Sequence, residues 1–109
     1  VSSESQLTIN AWQNSTFGKP RRLSVIGKLH DEVSELMAAA LSARRPKGKR
    51  EAIAEELADL LIVAYQVAGA YQIDLLARVD DKMAVNRQRT WVLLGGGIGQ
   101  HVESTEAQP

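Results

Sequence analysis

The chain is predicted to fold as an all-α, four-helix bundle-like protomer, and two observations carry that prediction. Apolar residues recur every three or four positions instead of alternating, which is the period of helices buried on one face. Gly and Pro interrupt the period at Phe17-Gly18-Lys19-Pro20 and Pro46-Lys47-Gly48, separating the stretches from one another.

The first helix is expected over about Ser3 to Asn14, with Leu7, Ile9 and Trp12 apolar, before a Ser15–Pro20 loop. The second runs from about Leu23 to Ala43. Ile26, Leu29, Val33, Leu36, Met37, Ala40 and Leu41 form its apolar stripe. Lys28, Glu32 and Glu35 share a neighbouring stripe, because steps of four and three nearly return to one azimuth. Arg44 to Arg50, holding a Pro, a Gly and five cations, is expected to be a loop between antiparallel helices.

The third helix, about Glu51 to Tyr71, changes character halfway. Its first two turns hold Glu51, Glu55, Glu56 and Asp59, which suits the positive end of a helix dipole. Leu60 to Tyr65 is apolar all round, and a protomer of this size cannot surround such a helix alone. A second subunit is therefore expected against it. The fourth helix begins at Asp74, a suitable N-cap, and reaches about Arg89, with Leu75, Leu76, Val79 and Met83 apolar and Asp81, Lys82, Asn86 and Arg89 polar. Residues 1–91 thus form one helical domain. Residues 92–109, Gly-rich and then polar, are expected to be an extended or partly disordered tail.

At 109 residues, one domain is expected. Thirteen basic and thirteen acidic residues cancel, so no global charge draws the chain to nucleic acid or an anionic membrane. The absence of Cys excludes disulfides and thiolate metal sites and is compatible with a reducing cytoplasm. Val1 to Asn10 lacks the basic-then-apolar order of a signal peptide, and Leu60 to Tyr71, interrupted by Gln66, is too short for the roughly 20 residues of a membrane span. Neither nucleic acid nor membrane is an expected partner.

Two carboxylate pairs carry the chemistry: Glu32-x-x-Glu35 and Glu56-x-x-Asp59. Residues three apart share a helix face, and an antiparallel hairpin brings the two faces together. One such pair is usually a solvated surface. Four converging carboxylates would repel or protonate unless a cation joined them, and oxygen donors suit Mg²⁺ or Mn²⁺. Lys28 is either the salt-bridge partner of Glu32 or a phosphate ligand, and Lys82 with Asn86, four residues apart, are either a structural pair or substrate contacts. Trp12 and Phe17 either pack or stack on a base. The Gly95–Gly99 run lacks the following Lys-Ser/Thr of a phosphate loop, and neither His30 nor His101 follows a Glu by three, which argues against a di-iron bundle. An acidic face that recognises a basic partner, without catalysis, is the alternative from another class.

Asp31-Glu32-Val33-Ser34-Glu35, twenty intervening residues and Glu56-Leu57-Ala58-Asp59 resemble the signature of the MazG-like, all-α nucleoside triphosphate pyrophosphohydrolases, Glu-Glu-x-x-Glu followed by Glu-x-x-Asp. Asp31 stands where the family usually has Glu. Glu55–Leu61 and Asp81–Arg87 match the family's third and fourth helices. Trp12–Gly18, Asn86–Trp91 and Gly99-Gln100-His101 are similar to small, often phage-encoded members that act as dATP/dGTP diphosphohydrolases.

The resemblance implies that Glu32, Glu35, Glu56 and Asp59 bind Mg²⁺ or Mn²⁺ and that a nucleoside triphosphate, by the narrower likeness a purine deoxynucleotide, is hydrolysed to monophosphate and pyrophosphate. Lys28, Lys82 and Asn86 would contact phosphate or sugar, and Trp12 the base. A general base, where one is needed, is Glu35 or Glu55. Homodimers or dimers of dimers are implied, working in the cytoplasm, that of a host if the chain is phage-encoded.

Overall fold

The computed structural model describes residues 2–103 as α1 (Gln6–Phe17), α2 (Arg22–Leu41), α3 (Pro46–Ala70), α4 (Leu75–Gln88), β1 (Trp91–Gly95) and β2 (Ile98–His101). The four helices are those expected from the periodicity. Two compact units divide between Leu75 and Leu76.

In the first unit, α1 begins and ends later than its apolar pattern suggested, because its stop and start signals are polar. The Ser5 hydroxyl accepts from the Thr8 N–H and the Thr8 hydroxyl from the Ser5 N–H, at 3.3 and 2.8 Å, which fixes the N-terminus. The helix then continues through Ser15-Thr16-Phe17 until Gly18, whose φ of +82° ends it.

The basic Arg44–Arg50 segment is mostly not a loop. Pro46 opens α3, its missing N–H costing nothing in the first turn, so Lys47, Lys49 and Arg50 are helical. Glu51 and Glu55 consequently lie more than a full turn inside the helix. The dipole explanation for them fails, since that effect fades within the first turn. At the other end, Gln72 takes φ +57° while the Ile73 N–H donates to Ala68 O (2.8 Å) and the Gln72 N–H to Gly69 O (3.2 Å), a Schellman stop. Gln6 secures this turn, donating to Ile73 O at 2.6 Å and accepting from the Leu75 N–H at 3.0 Å.

The short connection makes α2 and α3 an antiparallel pair, with a small core of Val25, Val63 and Ala70 backed by Leu29 and Val67. Arg22 donates to Ala70 O at 3.2 Å and lies over the Tyr71 ring. α1 packs on α3 where Gly69 leaves room for Asn10, whose amide donates to Gln6 O and Tyr65 O at 2.9 and 3.1 Å.

Helix α2 does not bury its apolar stripe against α3. The covered face runs through Val25, Leu29, Glu32, Leu36 and Ala39, whereas Ile26, Val33, Met37 and Leu41 are exposed, Met37 by 58%. The two faces differ by one residue, or about 100°. On α3, Leu57 and Leu61 are likewise half exposed, while Leu60 and Ile62 to Tyr65 are buried or partly covered, so within the protomer the helix expected to be buried all round is left open along one strip. No single helix among the described residues is long and apolar enough to cross a membrane.

The second unit corrects the expectation of a strandless chain with an extended tail. β1 and β2 pair antiparallel, Trp91 opposite His101 and Val92 opposite Gln100, around Gly96 and Gly97 at φ +60° and +75°. Two positive-φ residues between apolar runs suit a tight hairpin turn, and glycine adopts them without a Cβ clash. Trp91 caps the unit: its ring meets His101 edge-on, and its Nε1–H donates to Asn86 O at 2.9 Å. The remainder of the expected tail, 104–109, lies outside the described residues.

Candidate active site

The antiparallel pairing of α2 with α3 assembles a carboxylate cluster. Glu32, one turn after Leu29 on the buried face, and Glu35, one turn further, meet Glu56, and one oxygen from each lies within 4.8 Å of the others. Glu32 is 4% exposed, Glu56 half-buried and Glu35 exposed. Glu32 Oε2 and Glu56 Oε2 are buried with no hydrogen-bond partner among the described residues. Buried polar atoms are ordinarily paired, and anions more so. Hard, unpartnered oxygens converging in this way fit a divalent cation such as Mg²⁺ or Mn²⁺.

Asp59, the fourth expected ligand, is exposed and stands outside the three-carboxylate cluster, one turn beyond Glu56. It lines a 610 Å³ cleft together with Glu32 and Lys28. A second cavity of 290 Å³ is lined by Glu35 and Glu56 with Ser42, Arg44 and Ala52, so the cluster borders both spaces.

The charges are unevenly compensated. Lys28 Nζ donates to Glu32 Oε1 at 3.2 Å, and that hydrogen bond and charge hold the ammonium pKa above its ordinary value. Lys28 is otherwise exposed, so both readings of it stand together: it pairs with Glu32 and faces the cleft. Glu35 has no ion-pair partner among the described residues. The Glu32 charge, followed by a shared hydrogen bond with Glu32 and weaker effects of desolvation and Glu56, raises its carboxyl above the usual range.

The cleft extends from the acids to an aromatic rim. Trp12 and Phe17 pack edge to face, centroids 5.4 Å apart, yet remain 52% and 69% exposed, so they frame the opening rather than fill a core. Two cleft residues were not singled out by sequence: Gln13 and Gln66, both buried and bonded to one another at 2.8 Å. Gln66 was visible as the one polar interruption of the Leu60–Tyr71 run. Lys82 is exposed and Asn86 half-buried on α4, in the second unit.

Comparison with known proteins agrees with this geometry. The MazG-like family model matches residues 26–101. A dATP/dGTP diphosphohydrolase of Cyanophage S-2L is 30% identical over 104 residues, covering 95% of this chain and 90% of that protein. One of Salmonella phage PMBT28 is 33% identical over 97 residues, 89% of this chain but only 30% of that longer relative. The solved Cyanophage S-2L MazG-like pyrophosphohydrolase, bound to dGDP and three catalytic Mn²⁺ ions per active site, superposes with a TM-score of 0.70 at 30% identity, covering 92% of this chain and 91% of that one. The family model over most of the chain, with the match in fold and in sequence over nearly the whole length of a relative, establishes that this chain belongs to the MazG-like family.

Proposed function

We propose that the protein hydrolyses deoxynucleoside triphosphates, purine ones foremost, to monophosphate and pyrophosphate with Mg²⁺ or Mn²⁺. The observation that carries this is the cluster of Glu32, Glu35 and Glu56, with two orphaned buried oxygens, opening on a cleft large enough for a nucleotide. The dATP/dGTP activity of the relatives supports the purine assignment.

Glu32, Glu35 and Glu56 would hold the metal, with Asp59 completing the set from the cleft side. When bound, the divalent cations supply charge neutralisation at the phosphate oxygens and acidify the attacking water. Water adds its oxygen to one phosphorus of the α–β anhydride while the bridging P–O bond breaks, pyrophosphate leaves and a proton is released. Glu35 or Glu55 would accept it. Lys28 would meet a phosphate oxygen, Trp12 would stack on the base, and Lys82 and Asn86 would contact phosphate or sugar. The exposed Ile26, Val33, Met37 and Leu41 stripe supports a homodimer or dimer of dimers, since a second copy would cover it. Such an enzyme would work where deoxynucleotides are, in the cytoplasm.

The test is to incubate the protein with the eight common NTPs and dNTPs plus Mn²⁺ or Mg²⁺ and to separate the products. Monophosphate and pyrophosphate are expected, fastest from dATP and dGTP. Absence of turnover with every nucleotide and both metals would overturn the proposal, and orthophosphate release would replace it with a phosphatase.

A further inference from the structure

The acidic cluster faces two spaces, and a nucleoside accounts for only one of them. Along the α2–α3 hairpin, Glu32 and Asp59 border the 610 Å³ cleft with its aromatic rim, whereas Glu35 and Glu56 border the 290 Å³ cavity toward the turn that joins the helices. Ala38, Ala39 and Ala52 leave that cavity open by their small size, and no aromatic side chain of the described residues lines it. Its polar groups stand at its two ends. The carboxylates are at one, and Ser42 and Arg44, about two turns or about 10 Å further along α2, are at the other.

Two observations mark the turn end as suited to an anion. Ser42 Oγ is buried with no hydrogen-bond partner among the described residues, and a buried hydroxyl ordinarily has one. The second is charge. Arg44, Arg45, Lys47, Lys49 and Arg50 gather where α3 begins at Pro46, the first turn holds no acid, and Arg45 at the N-cap makes no side-chain cap. Cations at the positive end of a helix oppose its dipole, and a bound anion reverses that cost.

Of these cations only Arg44 lines the cavity, and its Cβ lies 3.8 Å from where a Cβ on Gly48 would stand, beside the first turn of α3. Arg44 is exposed and has no ion-pair partner among the described residues, so its guanidinium fork is free to meet a phosphate. Glu35 and Glu56 alone would repel that phosphate. A divalent cation held by them inverts the sign.

We propose that the 290 Å³ cavity is the subsite for the β- and γ-phosphates, and after hydrolysis for the pyrophosphate, with Arg44 and the Ser42 hydroxyl donating to phosphate oxygens. This rests on the nucleotide-hydrolysis reading above and divides the substrate at the acids. The nucleoside and α-phosphate lie on the side of Trp12 and Lys28, and the leaving group on the side of Arg44.

The experiment is calorimetry in Mg²⁺, which measures the affinity of inorganic pyrophosphate and of dGMP for the wild type, Arg44→Ala, Ser42→Ala and Lys47→Ala. Mg²⁺ alone is titrated into each, with thermal melts and dGTP hydrolysis alongside. Arg44→Ala should weaken pyrophosphate about tenfold and Ser42→Ala about threefold to tenfold, with dGMP changed by less than about twofold in both. Mg²⁺ should bind Arg44→Ala no more weakly than the wild type, because that variant removes a cation beside the acids. Lys47→Ala removes the same charge from the same segment but outside the cavity, and should keep pyrophosphate within about twofold. Equal losses in Arg44→Ala and Lys47→Ala would reduce the effect to the general field of the basic segment and overturn the subsite. So would equal losses for pyrophosphate and dGMP, or a wild type that hydrolyses dGTP yet binds pyrophosphate no better than Arg44→Ala. A wild type inactive on every nucleotide overturns the hydrolysis reading, and this one with it.

Discussion

Replacing Glu32 by Gln should make the metal-free protein more stable and the enzyme inactive. Glu32 is nearly inaccessible, one of its oxygens has no partner among the described residues, and another lies within 4.8 Å of Glu35 and Glu56 oxygens. At that separation and an effective dielectric of ~20, the Glu32–Glu56 repulsion is about 3.5 kcal/mol. Lys28 is 59% exposed, so solvent screens its attraction to Glu32 and it offsets only part of that repulsion. Solvent screening of the half-buried Glu56 relieves a further part, leaving a gain of about 1–2 kcal/mol for Glu32→Gln. At ~4–8 °C per kcal/mol for a domain of this size, Tm in EDTA should rise by several degrees.

Manganese should reverse the order. At a hundred times Kd, Mn²⁺ adds about 2.7 kcal/mol to the wild type, whereas a variant binding ~100-fold more weakly gains about 0.4 kcal/mol at the same concentration. The assay is a pair of melts at pH 7, with EDTA and with Mn²⁺, beside dATP and dGTP hydrolysis. A Glu32→Gln protein that melts below the wild type in EDTA, or that keeps the full Mn²⁺ shift, would refute the reasoning.

Gly69→Ala should destabilise by about 1–3 kcal/mol in denaturant melts, because its Cβ would fall on the Asn10 amide that ties α1 to α3. Glu35 gives a pH signature. Its folded pKa is raised above the ordinary 4.5, so the stability it contributes is present below that value and is lost as pH rises through the raised one; the Tm difference between wild type and Glu35→Gln in EDTA should widen in the variant's favour across that window, and Mn²⁺ should cancel it. Met37→Glu places a charge on the exposed α2 stripe, where it costs a monomer little; sedimentation should show dissociation with helicity retained, and an unchanged oligomer would remove that stripe from the interface.

The helices were legible because their period is a local property of the chain, and the carboxylate trio because residues three apart on paired helices must converge. Three features were not. The α1 limits depend on Ser5, Thr8 and Gly18, whose capping bonds outweigh the apolar pattern. The hairpin was hidden because Gly95–Gly97 suits loose chain as well as the two-residue Gly96-Gly97 turn between paired Gly95 and Ile98. The Gln13–Gln66 amide bond joins positions 53 residues apart, a pairing that no local pattern encodes; only the lone Gln in an apolar run marked one end of it.

The orientation of α2 links the site to assembly. Periodicity alone favours turning Ile26, Val33, Met37 and Ala40 toward α3, since that set is apolar throughout. The observed seam is one residue away and passes through Glu32, which a monomer judged on stability would keep outside. Two effects together offset that cost: Ala52 and Ala70 on α3 put small side chains beside α2, and a cation between Glu32, Glu35 and Glu56 would turn repulsion into attraction. The same rotation that brings the acids inward leaves the apolar stripe outward, where a second copy can cover it. A variant that buried the stripe within the protomer would carry Glu32 toward solvent, so metal binding and self-association should be lost together.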